Sequence, residues 1–203
     1  MINFHKATFL AGFSKYEQIF NSNYIEFAFW GRSNVGKSSL INALTNNKKL
    51  VRVSKNPGCT KQINLFNIDN KIVFADLPGY GYSKVSKTDV ISWQELIINY
   101  FKMRKQLFMI FLLIDSRRSL LEIDEKMIEW ILYYNVKFFI ILTKVDKITN
   151  LSDIIDDVNQ KIDLITNKTI NTNNFFNGII AVSSINNINI NKFQQIIMNY
   201  SKK

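Results

Sequence analysis

Eight consecutive residues constrain this chain more than the rest of it. Gly31-Arg-Ser-Asn-Val-Gly-Lys37-Ser38 matches the pattern G-x-x-x-x-G-K-[ST] at every fixed position. A β-rich run at residues 24–30 precedes it, and residues 37–45 follow with helical spacing. The chemistry of the pattern needs that strand, loop and helix. Gly31 and Gly36 put no Cβ between the backbone and an approaching anion, so N–H groups and a helix N-terminus can converge on phosphate oxygens. Lys37 supplies a point charge for the β- and γ-phosphates, and Ser38 a hydroxyl for Mg²⁺.

Such an element belongs to a parallel sheet with helical crossovers, and the rest of the chain alternates accordingly. Strand-like runs occupy residues 24–30, 62–68, 71–76, 107–115, 136–143 and 178–183, and helical patterns residues 37–45, 89–105, 124–134, 152–165 and 191–200. Ser152 is the expected N-cap of its helix, and Asp69-Asn70 the turn of a hairpin. The alternation predicts a doubly wound, mostly parallel α/β sheet with helices on both faces, to which the hairpin adds one antiparallel edge strand. We expect a single domain over residues 24–203, with residues 1–23 as an extension packed on it. The apolar runs at 107–114 and 138–142 fall far short of the ~18 residues of a membrane span, so membrane insertion is not expected. Cys59 is the lone cysteine, which leaves no intrachain disulfide or cysteine-based metal site and suits a reducing compartment. The formal net charge of +10 suits an acidic partner, RNA, DNA or an anionic membrane, and equally suits a lysine-rich composition with no such partner.

Functional signals should follow the strands, because ligands in such sheets bind beyond the carboxyl ends. Thr143-Lys144-Val145-Asp146 ends one strand and resembles [NT]-K-x-D. Guanine offers two adjacent donors, N1–H and N2–H₂, which the single Asp146 carboxylate can accept together. Adenine presents the opposite pattern and would leave that carboxylate unpaired. The Lys144 stem can lie along the base. Val182-Ser183-Ser184 ends the next strand, where GTPases place a backbone N–H for guanine O6. Asp76-Leu77-Pro78-Gly79 matches D-x-x-G, with Asp76 a candidate for the outer shell of Mg²⁺ and the Gly79 N–H for the γ-phosphate. Thr60, between these motifs, is the candidate to close over Mg²⁺. Of 7 glycines and 2 prolines, five glycines and both prolines lie in these phosphate-side segments, so backbone constraint is concentrated where phosphate contact is expected.

The string Gly31–Asn42, together with Pro57-Gly-Cys-Thr-Lys61, Asp76-Leu-Pro-Gly-Tyr-Gly-Tyr82, Asp115-Ser-Arg-Arg118 and Thr143-Lys-Val-Asp-Lys147, resembles the EngB family of bacterial ribosome-biogenesis GTPases, and the resemblance runs from about Phe9 to the C-terminus. It implies a Ras-like P-loop GTPase domain, assembly of the large ribosomal subunit through rRNA and ribosomal proteins, and a link to cell division and septation. It also implies a monomer in a bacterial-type cytoplasm or an organelle matrix. The family pattern maps phosphate contacts to Gly31, Arg32, Ser33, Asn34, Val35, Gly36, Lys37 and Ser38, to Gly58, Cys59, Thr60, Lys61 and Gln62, and to Asp76, Leu77, Pro78 and Gly79. It maps base contacts to Thr143, Lys144, Val145 and Asp146 and to Val182, Ser183 and Ser184, and Mg²⁺ directly to Ser38 and Thr60. Lys37, Thr60 and Gly79 become the catalytic set. Asn34 is a candidate K⁺ ligand, as in some related GTPases, or simply a loop stabiliser. The chain departs from the pattern at Cys59, at Arg118-Ser119 and in the glycine-free stretch 187–191. A membrane-remodelling or signalling GTPase and a P-loop kinase are the competing readings. The first lacks a lipidation signal here, and the second has no use for T-K-x-D.

Overall fold

A computed structural model describes residues 2–20, 22–52, 62–81, 87–167 and 174–202. Its seven strands, β1 (Ala7–Phe13), β2 (Ile25–Gly31), β3 (Ile63–Ile68), β4 (Ile72–Asp76), β5 (Leu107–Asp115), β6 (Phe138–Thr143) and β7 (Phe176–Ala181), form one sheet in the order β1-β3-β4-β2-β5-β6-β7. Among the described residues the α-helices are α1 (Lys37–Thr45), α2 (Lys87–Met103), α3 (Glu122–Tyr133), α4 (Leu151–Asn167) and α5 (Ile190–Tyr200). Strands β4, β2, β5, β6 and β7 pair in parallel, and β3 is antiparallel to both of its neighbours.

The central strands are apolar on both faces, as parallel strands covered by helices must be. Phe27 and Phe29 of β2 join Met109, Phe111 and Leu113 of β5 beneath α1 and α5, where Phe111 and Phe193 meet edge to face at 4.8 Å. Their alternate neighbours, Ala28 and Trp30 with Ile110, Leu112 and Ile114, face α2, α3 and α4. The helices thus divide two and three between the faces.

The antiparallel strand expected of the hairpin is β3, and its turn residues Asp69 and Asn70 both take positive φ, 53° and 52°, as a tight hairpin turn with matching twist requires. It does not lie at the margin. The N-terminal segment supplies β1, which pairs with β3 from Ala7↔Ile68 to Phe13↔Ile63 and takes the outer position. The segment behind β1 is held by a buried charge cluster. Arg104 donates to Glu26 Oε2 (2.8 Å) and to Phe20 O (2.9 Å), and the Tyr100 hydroxyl donates to Glu26 Oε1. Ser152 lies inside the first turn of α4 rather than before it, and its hydroxyl donates to Asn150 Oδ1 at 2.8 Å.

Candidate nucleotide-binding site

The parallel register brings the ends of β2, β4, β5 and β6 to one edge of the sheet, with Phe29 opposite Asp76, Gly31 opposite Leu113 and Asp115 opposite Thr143. Between β2 and α1 the chain wraps through residues 31–36. Gly31 has no room for a side chain, since a Cβ would sit 2.8 Å from Leu113 O and 2.9 Å from Val35 Cγ1. Gly36 has φ 109°, a conformation that favours glycine, and its carbonyl accepts the N–H of Leu40 (2.9 Å) to start α1. Asn34 at the tip is exposed, with φ 61°.

Lys37 is buried and forms an ion pair with the buried Asp76, so the cation of one motif and the carboxylate of the other occupy one point at the head of α1. Ser38, next in the helix, is half-buried. The D-x-x-G segment continues β4 along the loop. Leu77 N–H donates to Phe29 O (3.0 Å), Tyr80 N–H to Gly31 O (3.3 Å) and Ser33 N–H to Tyr80 O (3.1 Å). A Cβ on Gly79 would lie 3.2 Å from both Gly31 O and Ser33 N, so this glycine is packed on the phosphate loop itself. Pro78 O accepts two indole N–H groups, from Trp30 (3.2 Å) and Trp93 (3.3 Å).

The base motif is strapped to the same loop. Thr143 Oγ1 donates to Val35 O at 2.7 Å. Lys144, with φ 61°, extends past Gly36, and its Nζ donates to Asn34 O (2.8 Å) and to Asp115 Oδ2 (2.8 Å). Asp115 also receives Arg117 Nε (2.9 Å) and Nη2 (2.7 Å). Burial pushes the Asp115 carboxyl up, but the hydrogen bonds from Arg117 and Lys144 prevail and hold it well below the usual range. Arg117 is therefore engaged with Asp115 in this arrangement. Asp146 Oδ1 accepts from Ser183 Oγ at 2.6 Å, and Lys147 Nζ lies 3.5 Å from Oδ2. The Ser183 hydrogen bond, with Lys147 adding to it, lowers its pKa below the ordinary carboxylate value, so Asp146 is an anion at neutral pH. Val145 N–H reaches Val182 O (3.4 Å), which closes the two segments on each other, and Asn186 N–H reaches Ser183 Oγ (3.2 Å) within the second.

The structure therefore brings together residues 31–38, 76–79, 143–146 and 182–184. Gly58, Cys59, Thr60 and Lys61 lie outside the described residues, as do Tyr82, Ser83 and Lys84. Gln62 reaches the same end of the sheet, but its amide donates to Asn64 Oδ1 (2.8 Å) beside Gly12 of β1. Tyr80, which follows Gly79 directly, is buried. Its ring packs edge-on against Trp30 at 5.1 Å, and its hydroxyl donates to Asp124 Oδ1 at 2.8 Å. Sequence reasoning missed Asp115 as the joint beneath Lys144 and Asp124 as the partner of Tyr80. Asp115 ends an apolar strand, which was a usable signal. Asp124 had none, because its partner is 44 residues away.

A family model described as "50S ribosome-binding GTPase" matches residues 26–144. The chain is 48% identical over 153 residues to a probable GTP-binding protein EngB of Wolbachia pipientis wMel, covering 74% of this chain and 78% of that one. It is 54% identical over 125 residues to a probable EngB of Clostridium kluyveri, covering 62% and 64%. In three dimensions it is similar to a crystal structure of a probable GTP-binding protein engB (TM-score 0.68, 24% identity, 87% of this chain and 98% of that chain). It is also similar to Era in complex with MgGDPNP and nucleotides 1506–1542 of 16S ribosomal RNA (TM-score 0.66, 25% identity, 89% and 57%). Sequence kinship of this extent, on an α/β P-loop GTPase fold whose phosphate and base segments meet at one sheet edge, places the chain in the EngB family of ribosome-binding GTPases.

Proposed function

We propose that this chain is a GTP-operated switch in assembly of the large ribosomal subunit, with the family's link to cell division and septation following from that role. The observation that carries the reading is the convergence at one point of Lys37, Asp76 and the loop strapped down by Thr143 and Lys144. Backbone N–H groups of residues 31–38 hold the phosphates, Lys37 turns to the β- and γ-oxygens, the Gly79 N–H meets the γ-phosphate, and Asp146 selects guanine. Thr60 joins from the segment 58–62. The donors are hard oxygens: the Ser38 hydroxyl follows Lys37 in α1, and the Lys37 ammonium is held by the buried Asp76 carboxylate. Ser38 and Thr60 would hold Mg²⁺, with Asp76 in its outer shell, and the ion would supply positive charge against the charge that develops during phosphoryl transfer.

Hydrolysis should be slow. Tyr80 occupies the position that follows the D-x-x-G glycine, where Ras-type enzymes carry a water-orienting glutamine, and its hydroxyl is committed to Asp124. Unassisted turnover is expected on the order of 10⁻³ per second or less. If Asn34 ligates K⁺, turnover in KCl exceeds that in NaCl at equal ionic strength, and equal rates in the two salts remove K⁺ from the mechanism.

The function itself is tested by co-sedimentation with purified large ribosomal subunits. The GTP-analogue complex should pellet with them, the GDP complex should not, and Ser38→Ala should abolish the difference. A net charge of +10 attracts any RNA, and that attraction weakens steeply with salt. Equal association of both nucleotide states at ~150 mM salt, matched by unrelated RNA, would leave only this charge effect and would defeat the switch reading.

A further inference from the structure

Asp124 does not belong to any of the nucleotide motifs, yet its carboxylate is fully buried where three of the site's supports meet. Oδ1 accepts the Tyr80 hydroxyl at 2.8 Å, and Arg32 Nε of the phosphate loop lies 3.3 Å away. Oδ2 accepts the Leu121 N–H at 3.0 Å and so caps α3. Among the described residues, Arg32 Nε and Nη2 are buried without a hydrogen-bond acceptor, and Asp124 is the charge partner of Arg32. The stretch they support is short. Tyr80 immediately follows Gly79, and its N–H and C=O are both hydrogen-bonded to residues 31 and 33.

We propose that Asp124, acting through the Tyr80 hydroxyl, is a positioning residue for the γ-phosphate sensor. The side-chain anchor fixes Tyr80 from outside the loop while the Pro78 carbonyl is fixed by two indoles, so Gly79 is held on both sides before nucleotide arrives. A donor aimed in advance gives up little freedom when the γ-phosphate comes, and that preorganisation favours GTP over GDP, which makes no contact there. The inference rests on the reading of Gly79 as the γ-phosphate donor.

Tyr80→Phe is the informative change, because it keeps the ring against Trp30 and leaves Asp124 paired with Arg32 while removing one hydrogen bond. Fluorescent GDP and a non-hydrolysable GTP analogue, each with Mg²⁺, are titrated into the full chain. Affinity for the analogue should fall about 5- to 20-fold, a fraction of what one hydrogen bond to a charged group contributes, and affinity for GDP by less than about twofold. Asp124→Asn, which retains an acceptor oxygen for Tyr80, should keep more of the GTP preference than Asp124→Ala, and Tyr80→Phe/Asp124→Asn should lose no more of it than Tyr80→Phe alone. A purely structural role would lower thermal stability or weaken both nucleotides together, leaving their ratio unchanged, and that result overturns the proposal. Gly79→Ala separates it from the reading beneath it. If that variant loses the preference while Tyr80→Phe keeps it, Gly79 is the sensor and Asp124 does not position it. If neither variant changes the preference, both ideas fall.

Discussion

An Asp146→Asn variant should bind GTP about 2–4 kcal/mol more weakly than the wild type, a loss of roughly 30- to 1000-fold. The substitution replaces a carboxylate that can accept guanine N1–H and N2–H₂ together by an amide that presents one donor to a donor. The carboxylate is preset, since Ser183 Oγ and Lys147 Nζ approach one oxygen each and fix its plane. Xanthine, with a carbonyl in place of the 2-amino group, offers the acceptor that the amide wants, so the variant should improve for xanthosine nucleotides as it worsens for guanosine nucleotides. Competition titrations against both bases check this. Unchanged GTP affinity takes Asp146 out of the base pocket, and a loss for GTP with no gain for xanthosine triphosphate points to collapse of the 182–184 segment instead.

The second large effect concerns stability and binding together. Lys37→Ala strips the partner from a carboxylate whose side chain is only 1% exposed. Breaking one side of a buried ion pair costs about 3–5 kcal/mol, because the remaining charge stays desolvated. For a domain of this size that corresponds to a fall in Tm of roughly 10 °C, with GTP and GDP binding lost as well. Lys37→Met/Asp76→Asn removes both charges. It should recover most of the stability in a thermal melt and none of the nucleotide binding. A Lys37→Ala protein that melts with the wild type would show that Asp76 has another cation or solvent within reach, and the ion-pair account would be abandoned.

Much of the candidate site's geometry is legible in the chain because its segments are local. Residues 31–38 and 143–146 each place their functional groups within one turn that a strand and a helix define, and α1 begins and ends where helical spacing put it. β5 was equally plain, being nine consecutive residues bounded by a turn. What escaped was set by partners distant in sequence. Residues 7–13 show no clean alternation, with Phe9 and Leu10 both exposed, and only pairing with β3 makes them a strand. Tyr80 lies beside a glycine, and nothing near it in sequence announces Trp30 or Asp124 as its partners. Ser152 has the chemistry of an N-cap, but the helix starts at Leu151, one residue earlier.

The outer placement of β1 sets an order on biogenesis. β1 is made before every other described strand, yet its sheet partner β3 follows only after β2 and α1. Until β1 docks, the free edge of β3 is a template for any extended segment. Covalent attachment gives β1 an effective concentration that strands of other nascent chains do not match, so tethering favours the correct closure.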